Sequence, residues 1–110
     1  RYTDQLLSFE EIVCPVMVSA DVEPVYSSYV IRSPHRDKLA EWLKNAKIEC
    51  MIHWPTPNHK QPVLADYQFQ LPVTEQLSKE ILSLPIYPEM SDKQVDYVVE
   101  SIKGFLDQAL

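Results

Sequence analysis

The sequence predicts an α+β domain, a small and mainly antiparallel sheet with helices packed mostly on one face. Three observations carry that expectation. Residues 25–32, rich in β-branched and aromatic side chains, divide between two faces in a strand's period of two. Residues 91–109 sustain an apolar stripe at helical spacing. Between these ends, short β-branched runs and helical segments follow the order strand, strand, helix, strand, long loop, helix, short strand, helix. A chain of 110 residues fits one domain, so 1–110 is taken as a single unit.

Residues 1–8 carry neither an N-cap signal nor an initiator methionine. They are expected to be the tail of a longer helix, and the chain a piece of a larger protein. The apolar run at residues 12–18 predicts an edge strand or two short pieces, because Pro15 has no N–H to give to a ladder. Residues 21–24 predict a turn. In the strand at 25–32, Val25, Ser27, Tyr29 and Ile31 share one face, and Tyr26, Ser28, Val30 and Arg32 the other. Tyr26 and Tyr29 are therefore expected on opposite sides.

Ser33-Pro34 is a helix-start signal, an N-cap serine before a first-turn proline. Leu39, Trp42, Leu43 and Ala46 then keep helical spacing to about residue 46. Residues 48–53 predict another strand. Residues 61–70 show no period and predict loop. Val73, Leu77, Ile81 and Leu84 mark a helix between Pro72 and Pro85. Residues 85–88 predict a short extended piece. Ser91-Asp92-Lys93-Gln94 has the spacing of a capping box. Val95, Val98, Val99, Ile102, Phe105, Leu106 and Ala109 form the stripe of the last helix, despite Gly104 costing about 1 kcal/mol in its interior.

Composition narrows the function. The net charge is −6, and no basic run exists. Nucleic acid and anionic membrane surfaces are not expected partners. No apolar run approaches a membrane-spanning length and nothing resembles a signal peptide, so the expected compartment is cytoplasmic. The two cysteines, Cys14 and Cys50, are expected reduced and buried. One glycine stands against nine prolines, so no glycine-rich loop is present to cradle a phosphate.

The chemistry concentrates in residues 50–62, where an apolar run ends in prolines interleaved with two histidines, a tryptophan and an asparagine. Proline stops regular pairing, so a stiff loop should present imidazole and indole groups at a strand end. His53, Trp54 and His59 are the candidate lining of a polar ligand site. The competing expectation is a rigid turn with Trp54 packed in the core. Cys50, His53 and His59 match no strong zinc spacing, and no metal is expected. A Cys50 nucleophile with His53 as base lacks an oxyanion-hole glycine, so both cysteines are read as structural. The carboxylate pairs Glu10-Glu11, Glu75 with Glu80, and Asp92 with Asp96 are expected on solvated faces.

Several stretches resemble one family in the right order. Ile52-His53-Trp54-Pro55-Thr56-Pro57-Asn58-His59 resembles the His-Tyr-Pro-x-Pro-x-His loop of sugar aminotransferases of the DegT/DnrJ/StrS type. Leu71-Pro72-Val73-Thr74-Glu75-Gln76-Leu77 is similar to their P-V-x-E-x-L helix start. Ser83-Leu84-Pro85-Ile86-Tyr87-Pro88-Glu89-Met90 is similar to their S-L-P-I-x-P-x-L signature. Tyr29-Val30-Ile31-Arg32 and Arg36-Asp37-Lys38-Leu39 match upstream, and the similarity runs over about residues 25–106. Three positions depart: Trp54 stands for the usual tyrosine, Ser27 for a common histidine, and Lys47 for a helix-ending glycine. Lysine in the left-handed conformation costs about 1–2 kcal/mol, so that turn is expected to differ.

The resemblance implies the C-terminal small domain of a fold type I enzyme, with residues 1–8 as the tail of its interdomain helix. It implies pyridoxal phosphate as cofactor, held mainly by a large domain outside this chain. The expected reaction moves an amino group from glutamate to a nucleotide-linked keto-sugar, in a homodimer. None of Lys38, Lys44, Lys47, Lys60, Lys79, Lys93 and Lys103 stands in a context like the family's Schiff-base lysine. No catalytic residue is therefore expected here, and the isolated chain should be inactive. His53, Trp54 and His59 would lie near substrate and cofactor. The alternatives are a stand-alone, non-catalytic α+β module that binds a ligand or protein, and, more remotely, a small cysteine hydrolase.

Overall fold

The computed structural model describes residues 1–109. At its centre two short strands pair antiparallel, β1 (Tyr29–Arg32) and β2 (Ile81–Leu84). Their register sets Tyr29 opposite Leu84 and Ile31 opposite Leu82. These four side chains share one face and are all buried. Single bridges widen the sheet on both sides, Val13 to Arg32 and Met51 to Ser83, both antiparallel. The predicted small antiparallel sheet is thus present.

Four α-helices accompany it: α1 (Tyr2–Leu6), α2 (Arg36–Asn45), α3 (Pro72–Glu80) and α4 (Asp92–Ala109). α4 packs on both α1 and α2, and α2 also meets β2. Leu6, Leu39, Leu43 and Ile102 from these helices are fully buried beside Ile31 and Leu82. Burying a leucine side chain is worth about 1.5–3 kcal/mol, so this cluster is the main support of the fold. The α4 stripe is buried at Val98, Val99, Ile102, Phe105 and Leu106 and half-buried at Val95. The side chain of Ala109 lies outside the described residues. The capping box forms as expected: the Ser91 N–H donates to Gln94 Oε1 at 2.8 Å, and the Gln94 N–H to Ser91 Oγ at 3.3 Å.

Several expectations are corrected. The strand predicted at 25–32 begins only at Tyr29, because Tyr26 takes φ 47° and breaks the extended run. Tyr26 and Tyr29 consequently do not take opposite faces. Their rings lie 5.7 Å apart, and the Tyr2 ring lies 5.0 Å from that of Tyr29. The runs at 12–18 and 48–53 each shrink to one bridge, at Val13 and Met51. Pro15 cannot donate and Pro55 follows closely on the second. Residues 85–88 form no strand. The segment predicted as loop at 61–70 contains a 3₁₀ helix over Pro62–Tyr67, preceded by another over Asn58–Lys60.

The helix predicted at 73–84 stops at Glu80, and Ile81–Leu84 becomes β2. Tertiary partners take the helix's closing carbonyls. The Ser33 N–H donates to Glu80 O at 3.0 Å, and the buried Arg36 guanidinium donates to Ser78 O and Ile81 O at 3.0 and 3.1 Å. Ser33 itself does not start α2 at Pro34. Its Oγ accepts the His35 N–H at 3.2 Å, and the helix begins at Arg36. α2 closes at Ala46, and Lys47 follows at φ 62°, the left-handed conformation that glycine would take freely.

The carboxylates expected on solvated faces are mostly engaged. Arg1 pairs with Asp92 and Asp96, tying α1 to α4. Arg32 pairs with Glu80 at 2.8 Å, tying β1 to the end of α3. Among the described residues no helix is long and apolar enough to cross a membrane.

Candidate functional site

The loop after Met51 leaves the sheet at a point of local strain. Trp54 adopts φ 54°, a conformation that costs a bulky residue about 1–2 kcal/mol. The reversal turns the two neighbours, His53 and Trp54, toward different concavities.

His53 borders a cleft of about 710 Å³ beside the sheet edge and the start of α4, with Ser27, Cys50, Ser83, Tyr87 and Lys93. Its Nδ1 lies 2.9 Å from Ser83 Oγ on the second strand. Ser83 alternates with Leu82 and Leu84, so it stands on the sheet face away from the core. This bond orients the imidazole, and among the described residues Nε2 has no protein partner. The ring is therefore set to offer one nitrogen to a ligand.

Trp54 borders a second, more apolar cleft of about 670 Å³, with His59, Leu64, Phe69, Leu77 and Ile81. The indole is 74% exposed, so the expectation of a core tryptophan does not hold. His59 is the reverse: it is 7% exposed, and its Nε2 lies 2.8 Å from Glu75 Oε1. Of the three candidate residues, the structure brings Trp54 and His59 to one cleft and leaves His53 in the other. His53 and Trp54 are presented; His59 is turned inward and engaged.

Glu75 is the residue that sequence reasoning passed over as surface. It also accepts the Leu71 N–H at 3.3 Å, with Lys60 Nζ at 3.4 Å. The His59 hydrogen bond, then the Leu71 N–H and Lys60, hold its carboxyl well below the usual range, at about 2. The signal lay in the sequence: an acidic residue in the first turn of a proline-started helix faces back toward the chain that precedes it. Ser83 was missed as well, for want of any pattern linking it to His53 at a separation of 30 residues.

Both cysteines are free, Cys14 buried and Cys50 half-buried rather than buried. Desolvation pushes the Cys50 thiol up to about 11, so it stays protonated at neutral pH and makes a poor nucleophile. Among the described residues no cluster of three or more His, Cys, Asp or Glu side chains could hold a metal ion.

Residues 1–103 match the model of the DegT/DnrJ/EryC1/StrS aminotransferase family. A pleiotropic regulatory protein of Geobacillus stearothermophilus is 45% identical over 84 residues, 74% of this chain and 23% of that protein. A dTDP-3-amino-3,6-dideoxy-alpha-D-galactopyranose transaminase of Aneurinibacillus thermoaerophilus is 35% identical over 89 residues, 80% of this chain and 24% of that protein. Among solved structures, DesV of S. venezuelae, in complex with a ketimine intermediate, superposes with a TM-score of 0.89 at 28% identity. That match covers 97% of this chain and 29% of DesV. The chain thus spans about a quarter of the length of these relatives.

Proposed function

The chain belongs to the DegT/DnrJ/EryC1/StrS aminotransferase family, and from that premise we propose that it is the C-terminal small domain of a nucleotide-sugar aminotransferase. The match over residues 1–103 carries this proposal. The parent enzyme would transfer an amino group from glutamate to a nucleotide-linked keto-sugar, as a cytoplasmic homodimer. Pyridoxal phosphate would supply the carbonyl that carries the amino group between donor and acceptor.

The residues present do not by themselves fit that cofactor. The only glycine, Gly104, sits inside α4, and the positive-φ positions Tyr26, Lys47, Trp54 and Gln68 all carry side chains. Among the described residues no glycine-built backbone cradle for a phosphate is present. We therefore assign cofactor binding and the Schiff-base lysine to parts of the parent outside residues 1–110. This domain's share is on the substrate side. His53, oriented by Ser83, offers a ring nitrogen to a sugar or cofactor oxygen. Trp54 offers a flat apolar wall. Ser27 and Lys47, two of the departures from the family pattern, border the His53 cleft.

An exposed apolar surface supports a domain that docks onto more protein. Val16, Met17 and Val18 follow one another in the chain and are all exposed, Val18 at 90%, and Val25 is 93% exposed. A run of exposed apolar side chains is the kind of surface that a partner face covers. A second reading, a non-catalytic regulatory module, is favoured by one observation: the relative at 45% identity is named a pleiotropic regulatory protein.

The test is spectroscopic. The natural gene product should show the visible absorbance of a pyridoxal phosphate Schiff base. Borohydride should fix the cofactor to a lysine outside residues 1–110. A product with no such absorbance would support the regulatory module instead. An adduct on one of the lysines of this chain would overturn the assignment of catalysis elsewhere.

A further inference from the structure

We propose that Glu75 is a positioning residue, whose carboxylate holds the loop that presents Trp54 and so sets how tightly substrate is bound. The substrate part of this rests on the aminotransferase function proposed above; the tether does not.

Among the described residues, no backbone group of residues 52–70 pairs with the rest of the fold. The hydrogen bonds there, such as Lys60 N–H to Pro57 O and Gln61 N–H to Asn58 O, are internal to the segment. The segment is held by side chains. His53 bonds Ser83 at its start. Beyond His53, every described polar contact to the body of the fold ends on one carboxylate oxygen, Glu75 Oε1. It meets His59 Nε2 at 2.8 Å and Lys60 Nζ at 3.4 Å. The same oxygen accepts the Leu71 N–H at 3.3 Å, where the segment rejoins α3. One anchor thus closes the loop at both its middle and its end.

The anchor is placed to be firm. The His59 side chain is 5% exposed and that of Glu75 32%, so their contact is shielded more than a surface pair. Trp54 stands at the free part of the same loop, exposed and in a left-handed conformation. A strained, exposed residue keeps one orientation only where its surroundings fix it. The ladder hydrogen bonds of Met51 with Ser83 are the last before it, so beyond them the polar frame for Trp54 is His53 on one side and the His59–Glu75 contact on the other. Glu75 therefore acts through His59 on Trp54 without touching substrate.

The experiment uses the full gene product with Glu75→Ala, Glu75→Gln, Trp54→Ala and the double variant Glu75→Ala/Trp54→Ala. Protease cleavage within residues 54–70 should accelerate about tenfold in Glu75→Ala. Glu75→Gln, which keeps an acceptor oxygen, should fall between that variant and the parent. KM for the nucleotide-linked keto-sugar should rise about tenfold in Glu75→Ala with kcat within about twofold. Trp54→Ala should raise KM similarly, and the double variant should be no worse than either single one. Unchanged cleavage would overturn the tether. KM effects that multiply in the double variant would overturn action through Trp54. A gene product that shows no Schiff-base absorbance would remove the aminotransferase function and the substrate part together, while the cleavage rates would still decide the tether.

Discussion

His59 Nε2 lies 2.8 Å from Glu75 Oε1, joining the proline-rich loop to the first turn of α3 across 16 residues of chain. The contact accounts for a histidine that is buried although it belongs to a loop otherwise open to solvent. It also leaves the two neighbours His53 and Trp54 as the presented groups of the segment.

Stability should depend on Glu75 in acid. Its carboxyl is lowered from 4.5 to about 2 in the folded state, so its contribution is full above 4.5 and is lost as pH falls toward 2. Urea melts across that window should show a steep loss of stability for the parent. Glu75→Gln should flatten the slope there and leave the slope above pH 4.5 unchanged.

Cys50 should be slow to alkylate near neutral pH. Burial pushes its thiol up to about 11, and the thiolate is the reacting form. The rate of iodoacetamide labelling at Cys50, followed by peptide mass, should rise through about pH 11 with no plateau between pH 7 and 9. A plateau near neutrality would revive the cysteine nucleophile.

Lys47→Gly should stabilise the fold. Lys47 sits at φ 62° after α2, where glycine carries no Cβ penalty. The left-handed cost of about 1–2 kcal/mol is partly offset by glycine's greater freedom in the unfolded chain, so a gain of about 0.5–1 kcal/mol is expected. The urea midpoint should rise at constant m.

Gly104→Ala should stabilise as well. The position lies inside α4, and an added Cβ would meet the Trp42 ring at 3.7 Å, an ordinary contact. Removing an interior helical glycine is worth about 0.8–1 kcal/mol. A loss of stability in the same urea melt would mean that Trp42 cannot accept the methyl group.

Trp54→Tyr should separate stability from selectivity. The indole is 74% exposed, so the change should move stability by less than about 0.5 kcal/mol. In the parent enzyme it should change the ratio of kcat/KM between nucleotide sugars. An unchanged ratio would mean that Trp54 serves the turn and not the substrate.

Legibility of the fold followed the range of the forces involved. The capping box at Ser91 and Gln94 and the stripe from Val98 to Leu106 are local, and both formed as expected. Ile81 and Leu84 misled because a run as short as Ile81–Leu84, with three apolar residues in four, satisfies helix and strand spacing alike. The choice was made by Ser33 and Arg36, more than 40 residues away, which take the last carbonyls of α3. Tyr26 misled because nothing in its neighbours announces a positive φ.

The candidate site divides in the same way. The residue types and their spacing from His53 to His59 already marked the loop, its family and its stiffness, because prolines act on the backbone where they stand. Which of those side chains face outward, and which is held inside, was decided by Ser83 and Glu75, one on a strand and one on a helix. Hydrogen bonds between distant residues exist only once the chain has folded, and they depend on angles that sequence spacing does not set. The sequence by itself therefore determined a family, a loop and three candidate side chains. The tertiary structure alone turned them into two presented groups and one anchor.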